Sequence, residues 1–268
     1  MSLAAKLPWN HRFAGGYPGL SSQPLPTDAD AIDYLTHMAT ADGAGVETGV
    51  AVAVDAFFRD AKESGVFDAL KACCILAGAR TLAGALVPVV GTAPTNVANG
   101  FVSGDYSRTS GLTGDGTSYI DSGRATNDDP QDSMHVAVFP TAIVTGDTLL
   151  TGCFEPGLSD EGMYADGRAY CRSRNVTVSV STNSLYGVSR SSSTAWYARG
   201  SGSDSVGPTT PATVPNTKNM LVFSYDYNGN PAKITDATLA FYSIGTSLSL
   251  EALDTAVTDL ITAIGEAL

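Results

Sequence analysis

The chain has 268 residues, 43% of them hydrophobic and 16% charged, with 27 acidic against 15 basic side chains and a net charge of −12. That length buries a substantial core without metal or disulfide staples, and the acidic field repels nucleic acid and anionic membrane surfaces. No apolar run approaches the ~20 residues that span a bilayer, and the opening MSLAAKLPWNHRFAGG lacks the continuous apolar core of a secretory signal, so the product is expected to stay in the compartment where it is made.

Residues 1–27 are rich in Pro, Gly and aromatics and read as an extended arm, because proline removes amide donors and glycine raises chain entropy. Asp28 offers an N-cap to a helix with Ile32, Leu35, Met38 and Ala39 on one face, ending near Gly43. Val50, Val54, Phe57, Phe58 and Ala61 define a second helix over 47–63. Ser64 and Gly65 interrupt it, and VFDALKACCILA resumes helical spacing, which predicts a third helix stopping at Gly78. Pro88 and Pro94 then mark a close-packed connector, with a boundary expected near Gly91.

Beyond Gly91 the pattern changes to short alternating segments separated by Gly, Asn, Ser and Asp. Strands are predicted at 135–139, 148–154, 163–171, 176–181, 184–189, 194–199, 220–227 and 238–244. Asn228-Gly229 signals a hairpin onto 232–234. Many short strands without intervening helices favour a sandwich or jelly roll over a parallel sheet. The chain closes on an amphipathic helix in which Leu250, Leu253, Val257, Leu260, Ile261 and Ile264 share a face and Ser249 is the N-cap. That helix is expected to cover a sheet face rather than pair with copies of itself. The division this predicts is an arm and short helix for attachment (1–45), a helical base and connector (46–91), a β-sandwich (92–247) and the last helix (248–268).

The four cysteines show no CxxC pair and no zinc-like spacing to histidine. Cys73 and Cys74 read as small hydrophobes; Cys153 and Cys171 could face each other across a hairpin, leaving a disulfide or two free thiols open.

Three blocks carry a family resemblance: LKACCILAGARTLAGALVPVVGTAPTNV (70–97), FVSGDYSRTSGLTGDGTSYIDSGR (101–124) and LAFYSIGTSLSLEALDTAVTDLITAI (239–264). Together they resemble tailed-bacteriophage virion proteins of the tail-fibre or minor structural type with a concanavalin A-like, laminin-G-like β-sandwich, a likeness that runs from Val50 to Leu268. In such domains a GL-x-GDG-x-x-Y-I/L motif forms an early strand pair, matched here by Gly111, Leu112, Gly114, Asp115, Gly116, Tyr119 and Ile120. The resemblance implies a mainly β jelly-roll fold and a virion location. It also implies other virion proteins as partners through the arm, a homo-oligomer, and contact with a host surface polysaccharide. Alternatives are an architectural tail or capsid decoration protein and a polysaccharide depolymerase.

Exposed aromatics stack on sugar faces, which makes Trp196, Tyr197, Tyr225 and Tyr227 the glycan candidates, each against a core-packing alternative. Tyr225 and Tyr227 should share a strand face, whereas Trp196 and Tyr197 should not. TNDDPQD supplies hard oxygens of the kind calcium takes, from Asp128, Asp129 and Asp132 beside Asn127; a solvated turn around Pro130 uses the same residues. No other cofactor is expected. DYNGNP fails as an EF-hand, since Pro231 occupies the glycine position and Ala237 the glutamate position. No E-x-D-x-E strand supplies the paired carboxylates of a glycosidase, and His11, His37 and His135 lie in an arm, a helix and a strand start. The expectation is a protein without catalysis.

Overall fold

The computed structural model describes residues 25–97, 100–144, 146–158 and 160–268; most of the expected arm, with His11, lies outside them. Helices α1 (Ala29–Asp42) and α2 (Thr48–Glu63) form where their apolar spacing places them. The Asp28 carboxylate accepts from the amides of Asp30 and Ala31, and Gly43 ends α1 at φ 64°.

The third helix is not there. Residues Phe67–Ala69 make one 3-10 turn, and Leu70–Ile75 is strand β1. Cys73 and Ile75 face the helices, whereas Ala72, Cys74 and Leu76 enter the core on the other side. A strand buried on both faces shows an unbroken apolar run, and periodicity cannot distinguish that from a buried helix. The segment read as a helical base thus contributes a strand that lies inside a sheet.

In chain order there follow α3 (Leu82–Ala85), β2 (Pro88–Val90), β3 (Thr95–Val97), β4 (Tyr106–Ser107), β5 (Gly111–Thr113), β6 (Tyr119–Ala125) and β7 (Met134–Ala142). Next come β8 (Leu149–Phe154), β9 (Asp160–Tyr164), β10 (Arg168–Cys171), β11 (Val176–Thr177), β12 (Tyr186–Arg190) and β13 (Trp196–Gly200). The last elements are β14 (Ser203–Val206), β15 (Asn219–Val222), β16 (Tyr225–Tyr227), β17 (Asn230–Ala232), β18 (Thr238–Gly245) and α4 (Leu250–Ala267). One sheet runs β14-β13-β12-β7-β18-β1-β2, with β5 on β18 and β4 on β5; the second runs β11-β10-β9-β8-β15-β6-β3, with β16 on β8 and β17 on β16. Pairing is antiparallel except where β16 runs beside β8. Side chains of both sheets meet in one core, among them Ile120, Leu150, Met163 and Val222 from the second and Val136, Val138, Tyr186 and Tyr242 from the first. The chain is mainly β, two antiparallel sheets with few helices, consistent with a β-sandwich.

Three predicted strands differ in detail. The 163–171 segment is the hairpin β9–β10, turned at Gly167 (φ 92°). The 176–181 segment is a strand only over β11. The 220–227 segment is broken by Phe223, whose φ of 68° re-aims the chain from antiparallel β15 to parallel β16 along β8. The Asn228-Gly229 turn forms, with φ 52° and 86° at the two residues, the signs of a type I′ turn, but the chain returns on Asn230–Ala232 rather than on 232–234.

The GLTGDGTSYI motif does not make a strand pair. Its strands β5 and β6 belong to opposite sheets, and the loop between them carries the chain across the sandwich. Asp115 closes that loop by accepting from the amides of Thr117 and Ser118 at 2.8 and 2.7 Å. A Cβ on Gly111, which sits at φ 100°, would lie 2.1 Å from the Leu239 carbonyl oxygen, so only glycine fits against β18 there.

All four cysteines are free and buried. Cys153 and Cys171 cannot pair, because both take Glu161 of β9 as register partner, from opposite sides. Two strand spacings separate them by ~9.5 Å, beyond the ~7 Å reach of a disulfide.

Helix α4 lies with α2 on the outer face of the first sheet, burying Leu253, Val257, Leu260 and Ile264 against Phe57, Phe139 and Phe241. The Ser249 hydroxyl accepts from the Ala252 amide, as the cap requires.

Candidate functional site

Helices cover the first sheet, but among the described residues none packs on the outer face of the second. That face is built by strand alternation. In β9, Glu161 and Met163 point inward, Glu161 to the buried guanidinium of Arg172 and Met163 into the core, so Asp160, Gly162 and Tyr164 point outward. Register then places Phe154 of β8 beside Asp160, and Gly152 beside Gly162. Tyr170 of β10 pairs with Gly162 on the other side. Parallel β16 adds Tyr227 beside Phe154, with Tyr225 two residues back on the same face.

The result is an aromatic surface. Tyr227 and Phe154 stack with centroids 5.4 Å apart and 22° between planes. Tyr225 meets Tyr227 edge-on at 5.9 Å, and Tyr164 lies 5.7 Å from Tyr170. Leu149 folds over the glycine pair: a Cβ on Gly152 or Gly162 would come within 2.9 Å of its Cδ2. The Arg168 guanidinium sits 4.1 Å from the Tyr164 ring centroid and the Lys233 ammonium 5.0 Å from it. Asp147 binds both cations, and Asp166 also binds Arg168.

Asp160 is the unusual group. Burial, and secondly the charge of Glu161, push its carboxyl up to about 7. Among the described residues nothing donates a hydrogen bond to it. Tyr164 and Tyr225 both feel its charge, after burial, in phenols that are raised as well.

His135 shows the opposite shift. It is buried in β7 with Nδ1 2.6 Å from the Thr246 carbonyl oxygen and Nε2 3.1 Å from the Ser243 hydroxyl, a satisfied core residue inside the sheet rather than at its edge. Burial pushes it down to about 4, against the opposing Thr246 contact. A depressed histidine loses stability as pH falls from 6.5 through 4, whereas a raised carboxyl gains stability over nearly the same window. The two offset each other in the parent chain. Asp160→Asn should therefore unmask the histidine: urea-unfolding free energies should drop by about 2 kcal/mol between pH 7 and 4.5, against a flatter parent profile. Equal slopes for both proteins would refute the assignment.

The structure brings together two of the four aromatic candidates, Tyr225 and Tyr227. Tyr227 is 43% exposed, and Tyr225, at 8%, meets it edge-on. Trp196 is 2% exposed, packed on Gly207, with its indole N–H donating to the Pro208 carbonyl, so it offers no ring face to a ligand. Tyr197 points to the opposite side, as alternation requires. Its hydroxyl donates to the Leu248 carbonyl and accepts from the Leu250 amide, which ties down the start of α4. Phe154, Tyr164, Tyr170 and Asp160 were missed. On one long strand Tyr164 and Tyr170 would stand ~20 Å apart; the hairpin makes them neighbours.

Of the carboxylates expected to suit calcium, only Asp129 meets a guanidinium. Asp129 is buried against Arg124, while the carbonyls of Thr126, Asp129 and Pro130 accept from Arg172. Asp128 accepts from the Ala125 amide, and Asp132 is exposed. Among the described residues no group of three or more His, Cys, Asp or Glu is placed to hold a metal ion.

No protein-family model matches the sequence, and no curated protein matches it. Among solved structures the chain is similar to a mutant of Trypanosoma rangeli sialidase displaying trans-sialidase activity, at 11% identity and a TM-score of 0.44, over 78% of this chain and 39% of that one. It is similar to the same organism's sialidase in complex with 2,3-difluorosialic acid, at 10% identity and 0.42, over 76% and 37%. It is also similar to domain 4 of a GH43 extracellular arabinanase from Geobacillus stearothermophilus in complex with arabinotriose, at 15% identity and 0.36, over 62% and 82%. The chain thus spans under two fifths of the length of the sialidases. At these scores the likenesses carry no argument about function.

Proposed function

We propose that this chain is a non-catalytic, lectin-like sandwich of the concanavalin A-like jelly-roll type that contacts surface glycan as a structural component of a tailed-bacteriophage particle. The observation that carries the glycan contact is the aromatic face of Phe154, Tyr164, Tyr170, Tyr225 and Tyr227, left uncovered by helices while the other sheet is capped. Rings at a strand surface present apolar area beside polar edges, which suits the C–H and O–H faces of a sugar. The virion setting rests on the three resembling sequence blocks alone. Absence of catalysis is supported by β9 itself: after Asp160 the next outward positions are Gly162 and Tyr164, so no second carboxylate alternates with the first. Self-association in a particle would raise the avidity of a weak site.

A bacterial-polysaccharide array probed with the full chain and with Tyr227→Ala tests this. The parent should bind at least one polysaccharide and the variant should lose about tenfold, as removal of a 1–2 kcal/mol stacking contact implies. Equal binding by both would move the contact elsewhere, and an empty array would leave the architectural role. Release of reducing sugars by the parent would overturn the non-catalytic assignment.

A further inference from the structure

The geometry points to a neutral sugar bearing a vicinal diol as the ligand of this face, with the Asp160 carboxylate accepting from the two hydroxyls; this rests on the glycan-contact reading above. Each feature of the site bears on the ligand's chemistry. Asp160 opens β9 between Phe154 on β8 and Arg172 just past the end of β10, whose amide donates to the Asp160 carbonyl, so its carboxylate stands on the Phe154 side of the stacked Phe154–Tyr227 pair. Two carboxylate oxygens with no donor among the described residues can each take one hydroxyl of a diol, and charge-assisted hydrogen bonds of that kind are the stronger ones. A sugar ring resting over Phe154, which stands between Tyr227 and Asp160, would present its edge hydroxyls toward them.

Charge then selects against acidic sugars. The nearby cations are already neutralised: Lys233 binds Asp147, and Arg168 binds Asp147 and Asp166. Ionised Asp160 leaves the face with net negative charge inside a chain of net charge −12, so a uronate or sialate would meet repulsion. The same carboxylate predicts that binding strengthens with pH, because only its ionised form accepts from both hydroxyls. The groups around it are Glu161 and Arg172, paired on the inner side of the sheet, and on its own face Tyr164 of β9, Arg168 and Tyr170 of β10, Tyr225 and Tyr227 of β16, and Lys233. Glu161 is bound to Arg172, and phenols, ammonium and guanidinium groups do not change charge between pH 5.5 and 8. No described histidine lies on this face.

The test is binding of the full chain, Asp160→Asn and Tyr227→Ala to immobilised galactomannan, dextran, polygalacturonate and colominic acid at pH 8.0 and 5.5. The parent should bind a neutral polymer at pH 8.0 and weaken about thirtyfold at pH 5.5, the change in ionised fraction for a group titrating at about 7. Asp160→Asn should bind weakly at both pH values. The pH dependence of the parent needs no substitution, so a misfolded variant would not rescue the idea. Binding that Tyr227→Ala abolishes but Asp160→Asn leaves intact, or binding confined to the acidic polymers, would overturn the diol assignment while keeping the aromatic contact. Binding indifferent to Tyr227→Ala, or no binding to any of the four polymers, would sink both.

Discussion

Replacing Arg172 by Met should lower the unfolding free energy by about 3–5 kcal/mol, the range for breaking a buried ion pair from one side. Arg172 is 1% exposed and Glu161 2%. The guanidinium spends its donors on the Glu161 carboxylate and on the carbonyls of Thr126, Asp129 and Pro130. Removing it strips the buried carboxylate of this cation and several carbonyls of their donor, and each such loss costs desolvation energy that nothing returns. Arg172 holds this position at φ 54°, a region where a non-glycine residue is uncommon. Arg172→Lys should recover only part of the loss, because one ammonium cannot span the same acceptors. The double variant Glu161→Met/Arg172→Met should regain the part due to burying the carboxylate without its cation, but not the part due to the three carbonyls that still lack the Arg172 donor. Urea midpoints give the stabilities, and limited proteolysis at 127–131 should speed up in Arg172→Met as that loop is released. A loss under about 1 kcal/mol would mean that the pair is solvated in solution.

Asp254→Ala should cost about 2–4 kcal/mol and loosen α4 from the sheet. The Asp254 carboxylate accepts from the buried Leu185 amide at 2.9 Å and from Arg199 Nε at 2.8 Å. Arg199 keeps Asp204 on its other nitrogen, 2.7 Å away, which is why the expected cost is below that for Arg172. Asp254→Asn retains an acceptor for the amide and should fall between parent and alanine variant. Hydrogen exchange along α4 discriminates the cause: the alanine variant should lose protection first at its N-terminal half, around Leu250–Leu253. Uniform loss across the chain would show only global destabilisation.

Much of the chain was legible from its letters. Asp28, Gly43 and Ser249 act as the caps their positions predict, because capping is a local exchange of backbone hydrogen bonds. The hairpin at Asn228-Gly229 forms for the same reason. The opposite facing of Trp196 and Tyr197 follows from the two-residue period of a strand. What misled was burial on both sides. In LKACCI every second residue is apolar, and so are most of those between, which removes the alternation that identifies a strand. The loop TNDDPQD carried a comparable ambiguity. Its carboxylates would serve a metal or a turn equally well, and the arginines that occupy it come from residue 124 nearby and residue 172 across the sheet.

The sequence by itself determined the β-rich character, the flanking helices with their ends, and the turn chemistry of GLTGDG, all of which depend on contacts a few residues long. Only the tertiary structure decided that β5 and β6 of that motif sit in opposite sheets, that Cys153 and Cys171 stand two strands apart, and that Phe154, Asp160, Tyr164, Tyr170, Tyr225 and Tyr227 share one face. Those outcomes follow from register between strands distant in sequence, which no local pattern encodes, because a shift of one residue exchanges the two faces of a strand while leaving its letters unchanged.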